Sequence, residues 1–232
     1  MSNYPKQRMD EIREHFEKEA REFDRNFFKV APYYKEAIGA LISALSFKET
    51  EKIKVVDLGC GTGNITKALL DKYPKASVVC VDLAEGMIKM ARAKLKKYKN
   101  VEYRVGNIAD EDFSGRYDAV ISSLVLHHIE KKDKPKFYKK IYNGMSRGGV
   151  FYTADFVIPP GDYLKTMYVD HWKAFMAKNL SPTQIISVLD KHKREDRPAE
   201  LMFELETLKK TGFKNIEVVW KKYNFAIYGA EK

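Results

Sequence analysis

The segment Asp57-Leu58-Gly59-Cys60-Gly61-Thr62-Gly63-Asn64 places glycine at every second position of a short loop. Glycine there lets backbone pass close to a ligand just before a helix N-terminus, whose free amides favour polar or anionic groups. Asp82 ends the next apolar run, 25 residues after Asp57, where a carboxylate can accept from both hydroxyls of a ribose. The spacing is Gly-x-Gly-x-Gly rather than the dinucleotide Gly-x-Gly-x-x-Gly, and no Lys-Ser or Lys-Thr pair follows to hold phosphates and magnesium. A nucleoside without a pyrophosphate fits this pattern best. Further along, His127 and His128 follow one apolar run and Asp155 ends another, both at positions where substrates sit in open sheets. His128 and Asp155 are the candidates for acid–base work, which requires hydrogen-bond reach to a substrate proton, while His127 reads as packing.

These residues need elements to hold them. Lys54–Leu58, Ser77–Leu83, Val101–Val105, Tyr117–Ser122 and Val150–Phe156 read as strands, the last following a turn at Gly148-Gly149. Asn64–Tyr73, Glu85–Tyr98 and Lys134–Met145 have helical periodicity. Strand and helix in alternation predict an α/β fold, a parallel, doubly wound sheet with helices on both faces. Asn215–Trp220 and Asn224–Tyr228 are close enough to pair as a terminal hairpin. Before the core, residues from about Arg8 to Phe28 carry apolar positions at helical spacing, and a second helix follows Pro32. Between Val157 and Thr211 lie three more helices, from about Tyr163, from Ser181-Pro182-Thr183-Gln184, and from Pro198 to Gly212. Ser181 and Gln184 form a capping box, and Gly212 is a natural C-terminal stop. A crossover needs one helix, so the surplus is expected to cover the strand ends.

At 232 residues, with 44% apolar and 32% charged residues, the chain reads as one domain with an elaboration. Its expected parts are a helical cap at 1–50, a cofactor-binding core at 51–156, a helical lid at 157–211 and terminal strands at 212–232. No apolar run approaches the roughly 20 residues of a membrane span, and the N-terminal residues lack the apolar core of a signal peptide, so a cytoplasmic location without membrane contact is expected. Cys60 and Cys80 lie in no Cys/His cluster, and no metal site is expected. The net charge of +10 admits RNA as a partner. Yet Lys89, Arg92, Lys96 and Lys99 recur opposite Met87, Ala91 and Leu95, the pattern of a solvated helix face, so tRNA is not favoured.

In order along the chain, Val55–Asn64, Val79–Met87, Gly106–Asp110 and Tyr117–Ile129 resemble the motifs of class I S-adenosylmethionine-dependent methyltransferases. The resemblance implies a seven-stranded Rossmann-like sheet with the last strand antiparallel, and S-adenosylmethionine as cofactor with S-adenosylhomocysteine as product. It implies that Gly59, Gly61 and Gly63 pack on the methionine moiety and that Asp57 orders its amino group. Asp82 would hold the ribose, Leu83 and Met87 flank the adenine, Asn107 and Ile108 read its edge, and Ser123 and Leu124 line the methionine side. Tyr34, with Arg25, is expected against the cofactor, and Tyr33, Tyr168, His171, Trp172 and Arg197 against a substrate. Phe137–Phe156, the Asn179-Leu180-Ser181 helix start and Tyr223-Asn224-Phe225 also resemble the carboxy-S-adenosylmethionine synthases that serve tRNA wobble-uridine modification. Those enzymes bind the extra carboxylate with an arginine, for which Arg194, Arg197 and the cationic form of His171 are the candidates. The leading expectation is in-line methyl transfer to a small molecule in a lidded pocket. Remodelling of the cofactor itself and an RNA-directed methyltransferase are the alternatives, and the oligomeric state, a dimer included, is open.

Overall fold

Burial on both sheet faces explains why the strands read as continuous apolar runs. In this computed structural model, which describes residues 6–232, Val55 points into a core shared with the helices on one face and Val56 into the core on the other. Helices α1 (Lys6–Glu19), α2 (Phe23–Val30) and α3 (Tyr34–Ala44) come first. The alternating core is β1 (Lys54–Leu58), α4 (Asn64–Lys72), β2 (Ser77–Asp82), α5 (Glu85–Lys94), β3 (Val101–Val105), β4 (Tyr117–Ser123), α6 (Lys134–Gly144) and β5 (Met145–Phe156). Helices α7 (Asp162–Met176), α8 (Pro182–Glu195) and α9 (Leu201–Thr211) follow, then strands β6 (Lys214–Lys222) and β7 (Phe225–Glu231).

The seven strands lie in the order β3-β2-β1-β4-β5-β7-β6. β1 to β5 are parallel, and β7 runs antiparallel to both β5 and β6. This is the doubly wound α/β sheet expected from the sequence. Its order reverses between β1 and β4, so the carboxyl ends of these two strands border the crevice where such sheets take ligands. Helices α3 and α4 cover one face through Leu41, Ile65 and Leu69, and α6 and α9 cover the other through Phe137, Ile141 and Leu208.

Three boundaries differ from expectation for identifiable reasons. Gly148 and Gly149 are not a turn ahead of β5 but a bulge within it. The register with β4 slips between Tyr117 and Ala119, with Gly148 at φ +75°. The N-terminal helical run breaks before Phe23 because the two halves meet different surfaces. Ala20 and Phe16 pack with Ala84 and Met87 beside α5, whereas Asp24 turns toward the glycine loop. α5 ends at Lys94, and Leu95 turns inward to be fully buried instead of continuing the helix.

The face opposite the N-terminal helices holds a buried ion pair, Lys134 of α6 with Glu204 of α9, and the Tyr138 hydroxyl donates to the other Glu204 oxygen at 2.6 Å. Neither charge has access to water, so deleting one partner leaves the other uncompensated. Glu204→Ala is therefore expected to lower unfolding stability by about 3–5 kcal/mol, read as a shift of the urea midpoint. A loss below about 1 kcal/mol would show that the pair is hydrated like a surface bridge.

Candidate functional site

The glycine loop is shaped by two different constraints. A Cβ on Gly59 would lie 2.2 Å from Cγ2 of Val125, and the residue sits at φ +68°, so only glycine fits. Gly61, at φ +52°, has no atom within 4 Å of its would-be Cβ because that side opens into a cavity. The amides of Gly59 and Cys60 both donate to the Val81 carbonyl, at 2.8 and 3.0 Å, bending the chain off β1. Asp82 completes the bend: Oδ2 accepts from Gly61 N at 2.8 Å and Oδ1 from Ala84 N at 3.0 Å. Asp57 is buried and accepts from the Thr66 hydroxyl at 2.6 Å. Burial raises both carboxyls, Asp57 to about 7, with the nearby Asp82 charge adding to the effect, and Asp82 to about 6 despite its backbone hydrogen bonds.

The cavity has a volume of about 540 Å³, within the usual range for small-molecule sites. Of the residues expected to hold a cofactor, Asp57, Gly59, Gly61, Asp82, Leu83, Met87, Asn107, Ile108, Ser123, Leu124 and Tyr34 all line it. Asn107 accepts from Ala109 N at 2.9 Å, which fixes its amide at the rim. Leu124 is held at φ +55° as its N–H reaches back to the Ala154 carbonyl. The Ser123 hydroxyl is buried without a hydrogen-bond partner and lines the same space, so a polar ligand fits there. Gly63 is the N-cap of α4 and packs on Leu95 rather than lining the cavity.

A cover closes over this loop. Asp24 of α2 accepts from Thr62 Oγ1 at 2.7 Å, Asn64 Nδ2 at 3.0 Å and Lys94 Nζ at 2.6 Å. Burial alone would raise its pKa, but these donors prevail and hold it below the usual carboxylate value. The Phe16, Phe23 and Phe27 rings line the cavity from α1 and α2. From the other side α7 is fastened to α2 by Trp172 Nε1 donating to the Val30 carbonyl at 2.7 Å. Trp172 lines the cavity, as expected of a substrate-side residue.

Other expected substrate residues are elsewhere. The Tyr33 hydroxyl lies 2.8 Å from His171 Nε2, His171 stacks on Tyr223 at 3.6 Å, and Tyr168 meets Lys221, so these rings form a cluster outside the cavity lining. Arg25 is exposed and paired with Glu22 at 2.7 Å. Arg194 is exposed beside Glu195, and Arg197 donates to the Asp196 carbonyl at 2.6 Å, so neither enters the cavity.

At the end of the cavity away from the glycine loop, three elements bring a histidine–carboxylate network together. His127 and His128 stand on a single 3₁₀ turn after β4, Asp155 near the end of β5, and His192 and Asp196 at the end of α8. Asp155 accepts from His127 N at 2.9 Å and from its Nδ1 at 2.5 Å, and takes the Phe156 amide as well. Asp196 lies 3.5 Å from His127 Nε2, 3.4 Å from His128 Nδ1 and 2.5 Å from His192 Nδ1. Burial opposes a charge on His127, but the two aspartates outweigh it and raise its pKa. Burial and the neighbouring His127 charge push His128 down to about 3, so His128 stays neutral, a hydrogen-bonding group rather than a base. Burial acts against the Asp196 anion too, yet His127, His192 and His128 together hold it well below the usual carboxylate range. His128 and His127 line the cavity, whereas Asp155 stands behind His127 as its orienting partner. Sequence reasoning missed His192, Asp196 and Asp24. The His192–Asp196 spacing of four on one helix was the available signal, but nothing in it pointed to residues 68 positions upstream.

A cavity at the switch point of a doubly wound sheet, with a glycine loop and an acidic residue ending β2, defines an α/β enzyme that takes a nucleoside-bearing cofactor. Comparison with known proteins agrees. The profile of a methyltransferase domain matches residues 55–149. The carboxy-S-adenosyl-L-methionine synthase of Campylobacter fetus subsp. fetus (strain 82-40) is 30% identical over 213 residues, 90% of this chain and 90% of that one. Among solved structures, the DhpI–SAM–HEP complex superimposes with a TM-score of 0.68 at 18% identity and full coverage of both chains. Human N-acetylserotonin methyltransferase in complex with SAM gives 0.59 at 16% identity, over 84% of this chain and about half (51%) of the longer human one. The chain belongs to the class I S-adenosylmethionine-dependent methyltransferases, and S-adenosylmethionine is its cofactor.

Because Asp24 alone bonds α2 to three side chains around the glycine loop, Asp24→Ala is expected to free the cover. Amide hydrogen exchange should rise by about an order of magnitude, ~1.4 kcal/mol of lost protection, across Phe23–Val30. Protection of β1 and β4 should stay as in the wild type. Unchanged exchange in α2 would show that the aromatic contacts hold it without Asp24.

Proposed function

We propose that this protein transfers a methyl group from S-adenosylmethionine to a small molecule held at the histidine-lined end of the cavity. The observation that carries this reading is the cover. The cavity is roofed by α1 and α2 and flanked by α7 and α8, which suits a compact acceptor better than a folded nucleic acid. In-line displacement at a sulfonium needs the nucleophile and the methyl carbon held in near-attack geometry, with water kept out. The aromatic roof would exclude water. Asp57 and Asp82 would hold the cationic and hydroxyl-bearing parts of the cofactor, with Leu83, Met87, Asn107 and Ile108 around the base. His128, neutral and facing the cavity, would orient an acceptor by a hydrogen bond, and Asp155 would act through His127 rather than on the substrate.

A second reading is favoured by one finding, the similarity to a carboxy-S-adenosyl-L-methionine synthase along nearly the whole chain. An enzyme of that kind needs a cation facing the carboxylate of its product. Lys29 and Lys191 line the cavity, but among the described residues no arginine does, and Arg194, Arg197 and His171 lie outside it. The arginine by which those synthases hold the carboxylate thus has no counterpart there, which supports methyl transfer over that alternative. An RNA-directed enzyme finds less support, because Lys89 and Arg92 of α5 are exposed to solvent and neither lines the cavity.

The test is transfer of label from methyl-tritiated S-adenosylmethionine to a metabolite extract and, separately, to bulk tRNA. Label in the low-molecular-mass fraction is the expected result, and label confined to tRNA would overturn the reading. For the cofactor site, Asp82→Ala should weaken S-adenosylmethionine binding at least about tenfold, since each hydrogen bond to a charged group is worth ~1.5–3 kcal/mol. Calorimetry showing wild-type affinity would remove Asp82 from the site.

The raised carboxyls also set a pH dependence. As pH falls through about 7 and then about 6, Asp57 and Asp82 take up protons in the free enzyme. The cationic cofactor prefers the anionic forms, so binding must displace those protons and affinity must fall toward acid. Binding measured at pH 8 should be several-fold tighter than at pH 5. Equal affinities would show that these carboxyls do not face cationic groups.

A further inference from the structure

The network at the acceptor end has more ligating atoms than proton transfer needs. His127, His128 and Asp196 each turn one ligand atom to a common point, and those atoms all lie within 4.8 Å of one another. The separations are those of a coordination sphere. Two ligand atoms each about 2.0–2.2 Å from one ion at a tetrahedral angle stand roughly 3.4 Å apart. Asp196 Oδ1 lies 3.5 Å from His127 Nε2 and 3.4 Å from His128 Nδ1. We propose that His127, His128 and Asp196 bind one divalent transition-metal ion at the acceptor end of the cavity.

The surrounding bonds are those a metal centre requires. Asp155 holds His127 Nδ1 at 2.5 Å and is itself fixed by the amides of His127 and Phe156, so the imidazole presents Nε2 toward Asp196. A carboxylate behind the ligating histidine is the arrangement that sets ring orientation and strengthens the ligand. His192 Nδ1 lies 2.5 Å from Asp196 Oδ2, which leaves Oδ1 for the shared point. Two imidazoles and a carboxylate select zinc, iron(II) or cobalt(II) over magnesium or calcium, and three protein ligands leave a position open. All three residues line the cavity, so that position faces the space an acceptor would fill. An oxygen of the acceptor is the group such an ion would hold. That role rests on the methyl-transfer reading, whereas ion binding does not.

The experiment uses the full-length protein stripped with a chelator, then titrated with cobalt(II) by visible absorption and with zinc(II) by calorimetry. Binding of S-adenosylhomocysteine is measured in parallel as a check on the fold and on the cofactor site. One ion per chain is expected. Asp196→Asn and His128→Asn should each abolish the cobalt spectrum while S-adenosylhomocysteine still binds. Asp155→Asn should weaken the ion about 10–100-fold without removing it, and Asp112→Asn, on an exposed loop, should change nothing. No saturable ion binding by the wild type overturns the proposal even if every variant misfolds. Undiminished binding by Asp196→Asn or His128→Asn overturns it as well. Ion binding that persists in a protein unable to bind S-adenosylhomocysteine would sink the methyl-transfer reading and leave the metal site standing.

Discussion

Two backbone amides from different turns converge on one buried carboxylate, that of Asp82, and most of the site depends on that convergence. Gly61 N–H reaches it from the loop after β1, and Ala84 N–H from the turn after β2. The glycine loop is thereby bound to the neighbouring strand end and cannot collapse into the crevice. Its glycines are needed because the bound loop runs against Val125 on one side and faces open space on the other. A charged group kept in so dry a place is costly, and the raised pKa of Asp82 expresses that cost. A cationic, hydroxyl-rich ligand relieves it, so the same carboxylate that shapes the empty loop favours filling it.

The two ends of the cavity are built on different chemistry. At the cofactor end the polar groups are backbone amides and carboxylates on rigid strand ends, a fixed arrangement suited to one constant ligand. At the other end the groups are imidazoles and an aspartate contributed by the turn after β4 and by α8, an element of the elaboration. Since α8 supplies Asp196 and His192 while α7 supplies Trp172, changes in this elaboration can alter the histidine-lined end without disturbing the glycine loop. Residues Asp24 and Trp172 join the two halves through α2, so cover and elaboration close the site together.

Much of the cofactor half was legible in the sequence because its signals are local. Glycine spacing, an apolar run and a terminal acid lie within 26 residues, and Asp57, Gly59, Gly61 and Asp82 stand together at the cavity as their order implied. The parallel, doubly wound architecture followed from the βαβ rhythm for the same reason. The acceptor half was less legible. His127 looked like packing because its partners, Asp155 and Asp196, lie 28 and 69 residues away and meet it only when β5 and α8 dock. Tyr33, Tyr168 and His171 have the composition of a pocket wall, yet they pack on one another and on Tyr223 outside it. Helical spacing shows that residues share a face and says nothing of which neighbour that face meets. Likewise the glycine pair before Val150 reads equally as turn or bulge, and the choice was made by pairing with β4.

The most direct test of the central claim is mass spectrometry of the small molecules released when the purified protein is denatured. A protein that binds S-adenosylmethionine and passes on its methyl group should release S-adenosylmethionine or S-adenosylhomocysteine. Release of a carboxylated analogue of the cofactor in their place would contradict methyl transfer and make remodelling of the cofactor the activity of this site.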